Sequence, residues 1–261
     1  MEDGISKYEI AEIRKLNSSS RYRNNKKKFV IENSNVINEI VQNKSYAGLI
    51  DKIFITKKYL EQNKKLISQL KINNIKYNII SEMFLSKITD TKSPQGIICI
   101  LDQLNADKEE IIDKSKKGII LDSVNDPGNL GTILRSGAAF GIDFIIFTGE
   151  SVDVYNPKVI RSTAGAIFKI PVFYMPKKEI MNLNKKGYKI ASFSSKAKEV
   201  FSCLNYSGKI VFLFGNEARG IDKDLESISN FNFKIPIRDN VESLNLAVAS
   251  SIVMYEMSRK R

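Results

Sequence analysis

Two polar loops in the last third of the chain hold residue types that could do chemistry. Phe214–Gly220 (FGNEARG) follows an unbroken apolar run, and its glycines permit a backbone turn of the kind that binds ligands in α/β proteins. Ile235-Pro236-Ile237 ends the next apolar run, and Ser243–Leu246 then opens an apolar helical pattern in which Ser243 is a good N-cap. Loops that end late strands meet at one edge of a parallel sheet, so these residues could line one pocket.

Several kinds of catalytic site are excluded by residue types that are missing. The chain has no histidine, which rules out Ser-His-Asp and Cys-His catalysis and any His-ligated metal. Cys99 and Cys203 lack a CxxC partner, so no Cys-rich metal site is expected, and both are predicted to be buried, reduced thiols. The stretch Asp122–Gly131 has glycines without GxGxxG spacing and without a Walker lysine, which excludes the common dinucleotide and P-loop sites.

The charge balance favours a polyanionic partner. The chain has 41 Lys and Arg against 29 Asp and Glu, a net charge of +12. Seven of the basic residues lie in one stretch without an acid: Arg14, Lys15, Arg21, Arg23, Lys26, Lys27 and Lys28. This stretch could bind an RNA backbone, with Tyr22 stacking on an unpaired base, or it could be a solvated tail.

The elements that must position the loops alternate between strand and helix. The second half contains five short apolar runs: Gly118–Leu121, Phe144–Phe147, Lys189–Phe193, Ile210–Phe214 and Phe233–Ile237. Between them, helical patterns cover Leu130–Phe140, Pro157–Ala166 and Ser243–Met257. Unbroken apolar strands alternating with helices predict a doubly wound parallel sheet buried on both faces.

The first half predicts a smaller α/β domain. Strands are expected at Phe29–Glu32, Lys52–Thr56, Tyr77–Ile80 and Ile97–Leu101, and helices at Val36–Val41 and Tyr59–Leu70. The predicted organisation is an N-terminal domain over 1–103, a charged linker over 104–117 and a C-terminal domain over 118–261. No stretch is long and apolar enough to span a membrane and no signal sequence is evident, so a cytoplasmic protein is expected.

Three blocks resemble, in order and spacing, the three motifs of the SpoU (TrmH-like) family of RNA ribose 2′-O-methyltransferases, which belongs to the SPOUT superfamily. They are Asn125–Arg135 (NDPGNLGTILR), Leu213–Gly220 (LFGNEARG) and Ile235-Pro236-Ile237 with Glu242–Asn245 (ESLN). Residues 14–101 are more weakly similar to the L30e-like substrate domain of the family, and Asp153–Arg161 to a segment of its rRNA-directed members. The departures are Asn33 and Ile237, where the family usually has glycine and methionine.

The resemblance implies a fold, a cofactor and an assembly. The fold would be a C-terminal SPOUT domain with a parallel sheet and a deep trefoil knot, beside a smaller L30e-like α/β domain. S-adenosylmethionine would sit in the knot, held by Ser194, Gly215, Ile235 and Leu244. The family acts as a homodimer packed through the knot domain, and no metal is implied.

The resemblance also assigns roles to side chains. Arg135 would contact the target ribose phosphate and assist loss of the 2′-hydroxyl proton. A guanidinium does not normally deprotonate in proteins, so Arg135 is expected to stabilise the forming alkoxide rather than to act as a general base. Asn129 would orient Arg135 or the ribose, or only cap a helix. Glu217 could pair with Arg135 or Arg219, or bond to backbone. Ser243 could face the pocket or only cap.

Asn245, early in an otherwise apolar helix, is expected to contact RNA or the bound cofactor. Arg161 is a candidate phosphate contact, or a solvated arginine. Together with Arg21, Arg23 and the lysines 26–28, it completes the expected RNA-binding set.

The expected function is S-adenosylmethionine-dependent methylation of a ribose 2′-oxygen in RNA, with 23S ribosomal RNA favoured over transfer RNA. Antibiotic resistance by ribosomal methylation would be a special case of this activity. The alternative from another class is a non-catalytic RNA-binding or ribosome-assembly factor. A small-molecule methyltransferase is disfavoured because it would not need a basic N-terminal domain.

Overall fold

The chain forms two compact units in a computed structural model that describes residues 5–91, 93–201 and 207–259. The first unit contains the chain up to Asn105 together with Asp153–Gly165, and the second contains Ala106–Val152 and the chain from Ala166 onward. The sequence-based domain boundaries put Asp153–Gly165 in the C-terminal domain, whereas this segment packs with the first unit. Cys203 lies outside the described residues, while Cys99 is a free, buried thiol as predicted.

The described helices are, in chain order, α1 (Lys7–Ser18), α2 (Ser20–Lys26), α3 (Ser34–Gln42), α4 (Lys44–Ala47), α5 (Lys57–Gln62), α6 (Lys64–Ile72), α7 (Glu82–Ile88), α8 (Lys108–Lys114), α9 (Pro127–Phe140), α10 (Pro157–Thr163), α11 (Lys177–Ile180), α12 (Lys223–Ser227) and α13 (Leu246–Ser258). The strands are β1 (Lys28–Ile31), β2 (Ile50–Thr56), β3 (Asn78–Ile80), β4 (Ile97–Asp102), β5 (Lys117–Asp122), β6 (Phe144–Thr148), β7 (Val172–Tyr174), β8 (Lys189–Phe193), β9 (Glu199–Val200), β10 (Ile210–Phe214) and β11 (Phe231–Lys234). Short 3-10 helices cover Ala166–Phe168 and Leu183–Lys186.

The second unit is built on a seven-stranded parallel sheet in the order β7-β6-β5-β10-β8-β11-β9. All five residues of β10 are buried, which explains why this strand reads as an unbroken apolar run. The prediction of a parallel sheet in an α/β domain is therefore confirmed. The threading of this domain into a trefoil knot stays a prediction of the resemblance.

Strand register sets where the polar loops begin. Phe214 of β10 pairs with Leu121 of β5 on one side and with Phe193 of β8 on the other. Phe193 in turn pairs with Phe233 of β11. The four strands therefore end almost level, and the loops that follow them share the carboxyl edge of the sheet.

The first unit has a four-stranded sheet in the order β1-β4-β2-β3. Strand β4 is antiparallel to both of its neighbours, and β3 runs parallel to β2. Ile13 and Leu16 of α1, fully buried, pack on one apolar core with Phe54 and Ile98 of the sheet. This is the small α/β unit that the sequence predicted.

Some elements differ from the sequence prediction. The last predicted apolar strand, Phe233–Ile237, is β11 and ends at Lys234, because Pro236 has no N–H to donate to a ladder. The single helix expected over Tyr59–Leu70 is two helices that meet at Asn63. The basic stretch forms the end of α1 and the helix α2, which Ser19 caps by accepting from the Tyr22 N–H.

Candidate active site

Three of the four residues predicted to hold the cofactor lie at the carboxyl edge of the parallel sheet. Ser194, Gly215 and Ile235 directly follow β8, β10 and β11, and all three are half-buried. Leu244, also half-buried, lies just before α13. The Ser194 N–H donates to the Phe233 carbonyl over 3.0 Å, which joins the ends of β8 and β11.

The loop after β10 is a tight turn that depends on glycine. A Cβ on Gly215 would lie 2.3 Å from the carbonyl carbon and oxygen of Gly220, so no other residue fits without moving the backbone. Asn216 and Gly220 exchange two backbone hydrogen bonds of 3.0 and 2.8 Å across the turn. The turn leaves Glu217, Ala218 and Arg219 exposed at its tip.

Side chains from the three motifs meet in one chain of hydrogen bonds. Asn245 donates from Nδ2 to Oδ1 of Asn129 over 2.9 Å. Asn129 donates from its own Nδ2 to Oε1 of Glu217 in a short hydrogen bond. Three of the five predicted catalytic residues, from positions 129, 217 and 245, are therefore in direct contact.

The direction of this chain is fixed by backbone groups at one end. Oδ1 of Asn245 accepts from the N–H groups of Ala247 and Val248 over 2.9 and 3.3 Å, so Nδ2 must face Asn129. Asn129 then accepts on Oδ1 and donates from Nδ2, which requires an acceptor oxygen on Glu217. The capping of α13 by Asn245 thus orients the Asn129 side chain, and Asn129 in turn orients the Glu217 carboxylate.

Capping assignments made from the sequence are corrected by this geometry. Asn245, not Ser243, is the N-cap of α13, and Ser243 is an exposed residue in the preceding loop. Asp126, not Asn129, caps α9 by accepting from the Asn129 N–H over 2.7 Å. The Asn129 side chain is therefore released from capping and is free to join Glu217 and Asn245.

Helices α9 and α13 pack side by side and hold the two asparagines in register. Ser136 and Ser251 hydrogen-bond through their hydroxyls over 2.7 Å. Further along, the rings of Phe140 and Tyr255 lie 5.6 Å apart, edge to face. The sequence offset is 116 residues between Asn129 and Asn245 and 115 for each of these two pairs, so the two helices run in the same direction.

Arg135 lies apart from the polar chain. It follows Asn129 by six residues on α9, which places it about 9 Å further along the helix and about 120° around it. Its side chain is exposed, and within the described parts of the chain it makes no hydrogen bond to Asn129, Glu217 or Ser243. Asn129 therefore does not orient Arg135 directly, and Glu217 bonds to Asn129 rather than to an arginine.

The predicted RNA-binding set is divided by burial. Arg21, Lys26 and Lys27 are exposed, and Lys28 is half-buried beside Asp51, with Nζ 2.7 Å from its carboxylate. The prediction that Arg23 contacts RNA is wrong, because its side chain is only 2% exposed. Its guanidinium donates to Asp153 over 2.7 Å and to the Leu16 carbonyl over 2.6 Å.

Two further features of the first unit bear on RNA binding. The ring of Tyr22 is half-buried, and the ammonium groups of Lys15 and Lys26 lie 5.5 and 5.9 Å from its centroid. Arg161 is half-buried on α10, which packs against β1 in the same unit as the basic stretch. Tyr155 anchors this segment: its hydroxyl accepts from the Leu104 N–H over 3.0 Å, and burial raises its pKa to about 12.

Two residues near the site were missed by the sequence analysis. Asn216 and Asp122 both bond to backbone groups around the turn after β10. Each lay inside a quoted stretch of sequence, but a polar residue whose partners across the fold are backbone groups has no chemical signature of its own. The signal available was Asp122 itself, an acid that directly follows the apolar run Gly118–Leu121.

The residues at this edge fit the cofactor that the resemblance implies. Ser194, Gly215 and Ile235 directly follow neighbouring strands, the turn at Gly215 excludes a side chain, and Ile235 and Leu244 offer half-buried apolar surface. Such a surface suits a ligand recognised mainly by backbone hydrogen bonds and apolar contact. Among the described residues no group of three metal-ligating side chains occurs, and none of the helices described is both long and apolar enough to cross a bilayer.

Two family models match the chain. The SpoU rRNA Methylase family matches residues 116–255, which include all three motifs. The model described as RNA 2′-O ribose methyltransferase substrate binding matches residues 31–107.

Known proteins match over most of both units. The 23S rRNA (guanosine(2553)-2′-O)-methyltransferase RlmP of Bacillus subtilis is 28% identical over 88% of this chain and 88% of its own length. The 23S rRNA (guanosine-2′-O-)-methyltransferase RlmB of Coxiella burnetii is 29% identical over 79% of this chain and 88% of its own. An AdoMet-bound rRNA methyltransferase from Sinorhizobium meliloti has the same fold, with a TM-score of 0.85 at 23% identity over 99% of this chain and 97% of its own.

Proposed function

Because this chain belongs to the SpoU rRNA methylase family, we propose that it methylates a ribose 2′-hydroxyl of 23S ribosomal RNA in the cytoplasm. Membership makes it an S-adenosylmethionine-dependent RNA ribose 2′-O-methyltransferase, and the choice of 23S RNA is the part proposed. Two relatives named as 23S rRNA methyltransferases support that choice, since both align over at least 79% of the chain.

The observation that carries the catalytic proposal is the hydrogen-bonded chain from Asn245 through Asn129 to Glu217. An RNA-binding factor without activity would not need a carboxylate held by one carboxamide, itself oriented by a second, at the edge where the cofactor loops end. A preorganised polar group of this kind costs no reorganisation during reaction.

Each remaining site residue has a proposed part in the reaction. When bound, S-adenosylmethionine supplies an electrophilic methyl group. Ser194, Gly215, Ile235 and Leu244 would hold it, with Ser243 at the pocket mouth. The exposed guanidinium of Arg135 stabilises the 2′-alkoxide by charge and hydrogen bonds as the hydroxyl proton leaves to solvent.

The first unit is proposed to grip the RNA. Arg21, Lys26, Lys27 and Lys28 lie on or next to α2, and Arg161 belongs to the same unit. Lysine and arginine supply most phosphate contacts in RNA complexes, and Tyr22 offers a ring for an unpaired base.

The active form is proposed to be a homodimer that packs through α13. This helix buries one face within its own unit and leaves Val248, Ile252 and Tyr255 exposed at 49%, 36% and 48%. These positions are spaced by four and three residues, so they form one apolar stripe. A second copy of the chain would cover it.

The function is tested by methyl transfer from labelled S-adenosylmethionine to RNA of a deletion strain, presented as free RNA and as ribosomal particles. We expect a 2′-O-methyl nucleoside in 23S RNA, located by primer extension at low nucleotide concentration. Methylation confined to transfer RNA would reject the ribosomal substrate. Binding of cofactor and RNA without transfer would favour the assembly-factor alternative.

The variants Arg135→Ala and Arg135→Lys test the role of this residue in the same assay. Because its side chain is exposed and unpaired among the described residues, Arg135→Ala should change stability by no more than about 0.5 kcal/mol. We expect kcat of Arg135→Ala to fall about 100-fold or more. Arg135→Lys should retain part of the wild-type activity, because the positive charge remains. Unchanged kcat in Arg135→Ala would remove this residue from the mechanism.

A further inference from the structure

The turn that carries Glu217 is fastened to the end of β5 at two points. Asn216 donates from Nδ2 to the Ser123 carbonyl over 2.8 Å, and the Asp222 N–H donates to Oδ2 of Asp122 over 2.8 Å. We propose that Asn216 and Asp122 are positioning residues for methyl transfer, and that they act by holding Glu217 against Asn129. This inference rests on the proposed function, because it assigns the two ties a part in that reaction.

Asn216 uses every polar atom it has to define the turn. Its backbone N–H and carbonyl bond to Gly220, and its Oδ1 accepts from the N–H groups of Ala218 and Arg219 over 2.9 and 3.1 Å. Only Nδ2 reaches outside the turn, to Ser123. Asn216 therefore shapes the turn through its acceptors and anchors it through its single donor.

Asp122 is a buried carboxylate, 2% exposed, whose two oxygens serve different segments. Oδ2 accepts from Asp222, just beyond the turn, and Oδ1 accepts from the Ser123 hydroxyl over 3.0 Å. A buried carboxylate is tolerated when hydrogen bonds replace its hydration, so these contacts also fix Asp122 itself.

Ser123 has a backbone shape that suits an anchor. Its φ of 56° is in the left-handed region, which is unusual for a residue with a side chain. The conformation turns the chain away from the sheet directly after β5, and its N–H is held by the Thr148 carbonyl over 3.1 Å. The residue whose carbonyl receives Asn216 is therefore itself held by a hydrogen bond to a neighbouring strand.

The two ties matter because both residues of the Asn129–Glu217 hydrogen bond lie close in sequence to the contact between Ser123 and Asn216. Asn129 follows Ser123 by six residues, and Glu217 follows Asn216 directly. The ladder between β5 and β10 ends at the pair Leu121 and Phe214, so beyond it the two ties fix the spacing. Small displacements of positioned groups cost large factors in rate.

A double-mutant cycle tests this role. Asn216→Asp keeps the acceptor that shapes the turn, removes the donor to Ser123 and puts a carboxylate oxygen against a carbonyl. We expect kcat to fall about 30-fold with the KM for RNA unchanged, because the RNA-binding residues are elsewhere. In a Glu217→Ala background, the same change should cost less than about 3-fold, because the residue it positions is gone.

Asn184→Asp is the matched control. Asn184 also donates from Nδ2 to a backbone carbonyl, that of Ile228 over 3.1 Å, but it lies away from the strand ends that form the site. Its kcat should remain that of the wild type. Equal losses from Asn216→Asp in both Glu217 backgrounds, or no loss in either, would overturn the proposal.

Two further measurements keep the test decisive. Should Asn216→Asp fail to fold, Asp122→Ala, which removes both acceptor oxygens and with them the bond from the Asp222 N–H, goes through the same cycle with the same expectation. Amide hydrogen exchange over 216–222 should accelerate in either variant while β10 stays protected, and unchanged exchange would refute the ties. If wild-type protein transfers no methyl group, the proposed function fails, and the exchange result still judges the ties separately.

Discussion

Asn129 links the parts of the candidate site, because both polar atoms of its carboxamide are hydrogen-bonded. Oδ1 receives Asn245 and Nδ2 serves Glu217, so the side chain links two helices and a turn. It can do so because Asp126 takes over the capping of α9. An aspartate of the same shape would lose the donor and face Glu217 with a second negative charge.

Asn129→Asp should therefore be a pH-dependent variant. Two carboxylates in hydrogen-bonding contact share a proton more readily than separate ones, and a shared proton recreates the bond. We expect methyl transfer about 100-fold below the wild type at pH 8, with the deficit narrowing as pH falls toward 6. The measurement is the ratio of kcat values, variant to wild type, at each pH.

Asn129→Ala provides the comparison for that profile. It removes the hydrogen bonds to both Glu217 and Asn245 without adding a charge, so its deficit should be the same at every pH. A flat profile for Asn129→Asp as well would show that the contact with Glu217 does not govern activity.

At the scale of elements, α13 has one buried face and one exposed apolar face. Its buried face packs on α9, while Val248, Ile252 and Tyr255 form the exposed stripe. Ile252→Glu should convert a dimer to monomers, weakening association by about 100-fold or more, because a charge would be buried in an apolar contact. Sedimentation velocity over a concentration series measures it.

Met181→Glu is the control for that experiment. Met181 is also an exposed apolar residue of the second unit, 43% accessible, but it lies outside α13. It should leave the sedimentation coefficient unchanged. A wild type that is monomeric throughout, or a dimer that survives Ile252→Glu, would contradict the proposed interface.

The start of α12 makes a pH-dependent contribution to stability. Asp222 caps this helix and pairs with Lys177 over 2.6 Å, and that hydrogen bond lowers the pKa of Asp222 below its ordinary value. Since the folded pKa lies below the unfolded one, the contribution is present above about pH 4 and is lost as pH falls through the folded pKa.

Lys177→Met should therefore lower the free energy of unfolding by up to about 1 kcal/mol at pH 7, since the pair is one-third exposed. The difference from the wild type should shrink as pH falls below about 4 and the Asp222 carboxylate becomes protonated. Urea unfolding at several pH values measures it. Lys178→Met, which removes the same charge from an exposed neighbour, should show no such pH dependence.

The elements were more predictable than the contacts between them. Strand β8 and strand β10 match their apolar runs residue for residue, because a strand buried on both faces leaves an unbroken pattern. The motif order also anticipated that Asn129, Glu217 and Asn245 share a site. Their pairing was not predictable, since it depends on helix register and on caps at Asp126 and Asn245 that compete with equally good candidates nearby.

At the scale of the molecule, the first unit is assembled from two distant parts of the chain. Asp153–Gly165 joins residues up to Asn105, and its contacts are specific. Asp153 receives the buried guanidinium of Arg23, and Tyr155 packs on Phe29 with ring centroids 4.7 Å apart while its hydroxyl binds Leu104. Charge in the sequence had suggested that Arg23 is an RNA contact, because sequence alone could not show the carboxylate 130 residues away.

A fragment of residues 1–107 should therefore be incomplete. Without the second segment, Arg23 is left as a buried charge without its partner, which typically costs 3–5 kcal/mol. We expect the fragment alone to lack a cooperative urea transition and to gain one when a peptide of residues 150–167 is added. Circular dichroism follows the transition, and calorimetry gives the affinity of the peptide.

Two altered peptides separate the ion pair from general packing. Asp153→Ala should weaken peptide binding by about 100-fold or more, because it removes the partner of a buried charge. Asn156→Ala removes only the N-cap of α10, where the Asn156 side chain accepts from the Lys158 N–H within the peptide itself. It should weaken binding by about 5-fold. A fragment of 1–107 that unfolds cooperatively alone, with no response to the peptide, would mean that the buried pair is dispensable. In that case Arg23 would tolerate solvent, and the segment 153–165 would be an accessory of the first unit rather than part of its core.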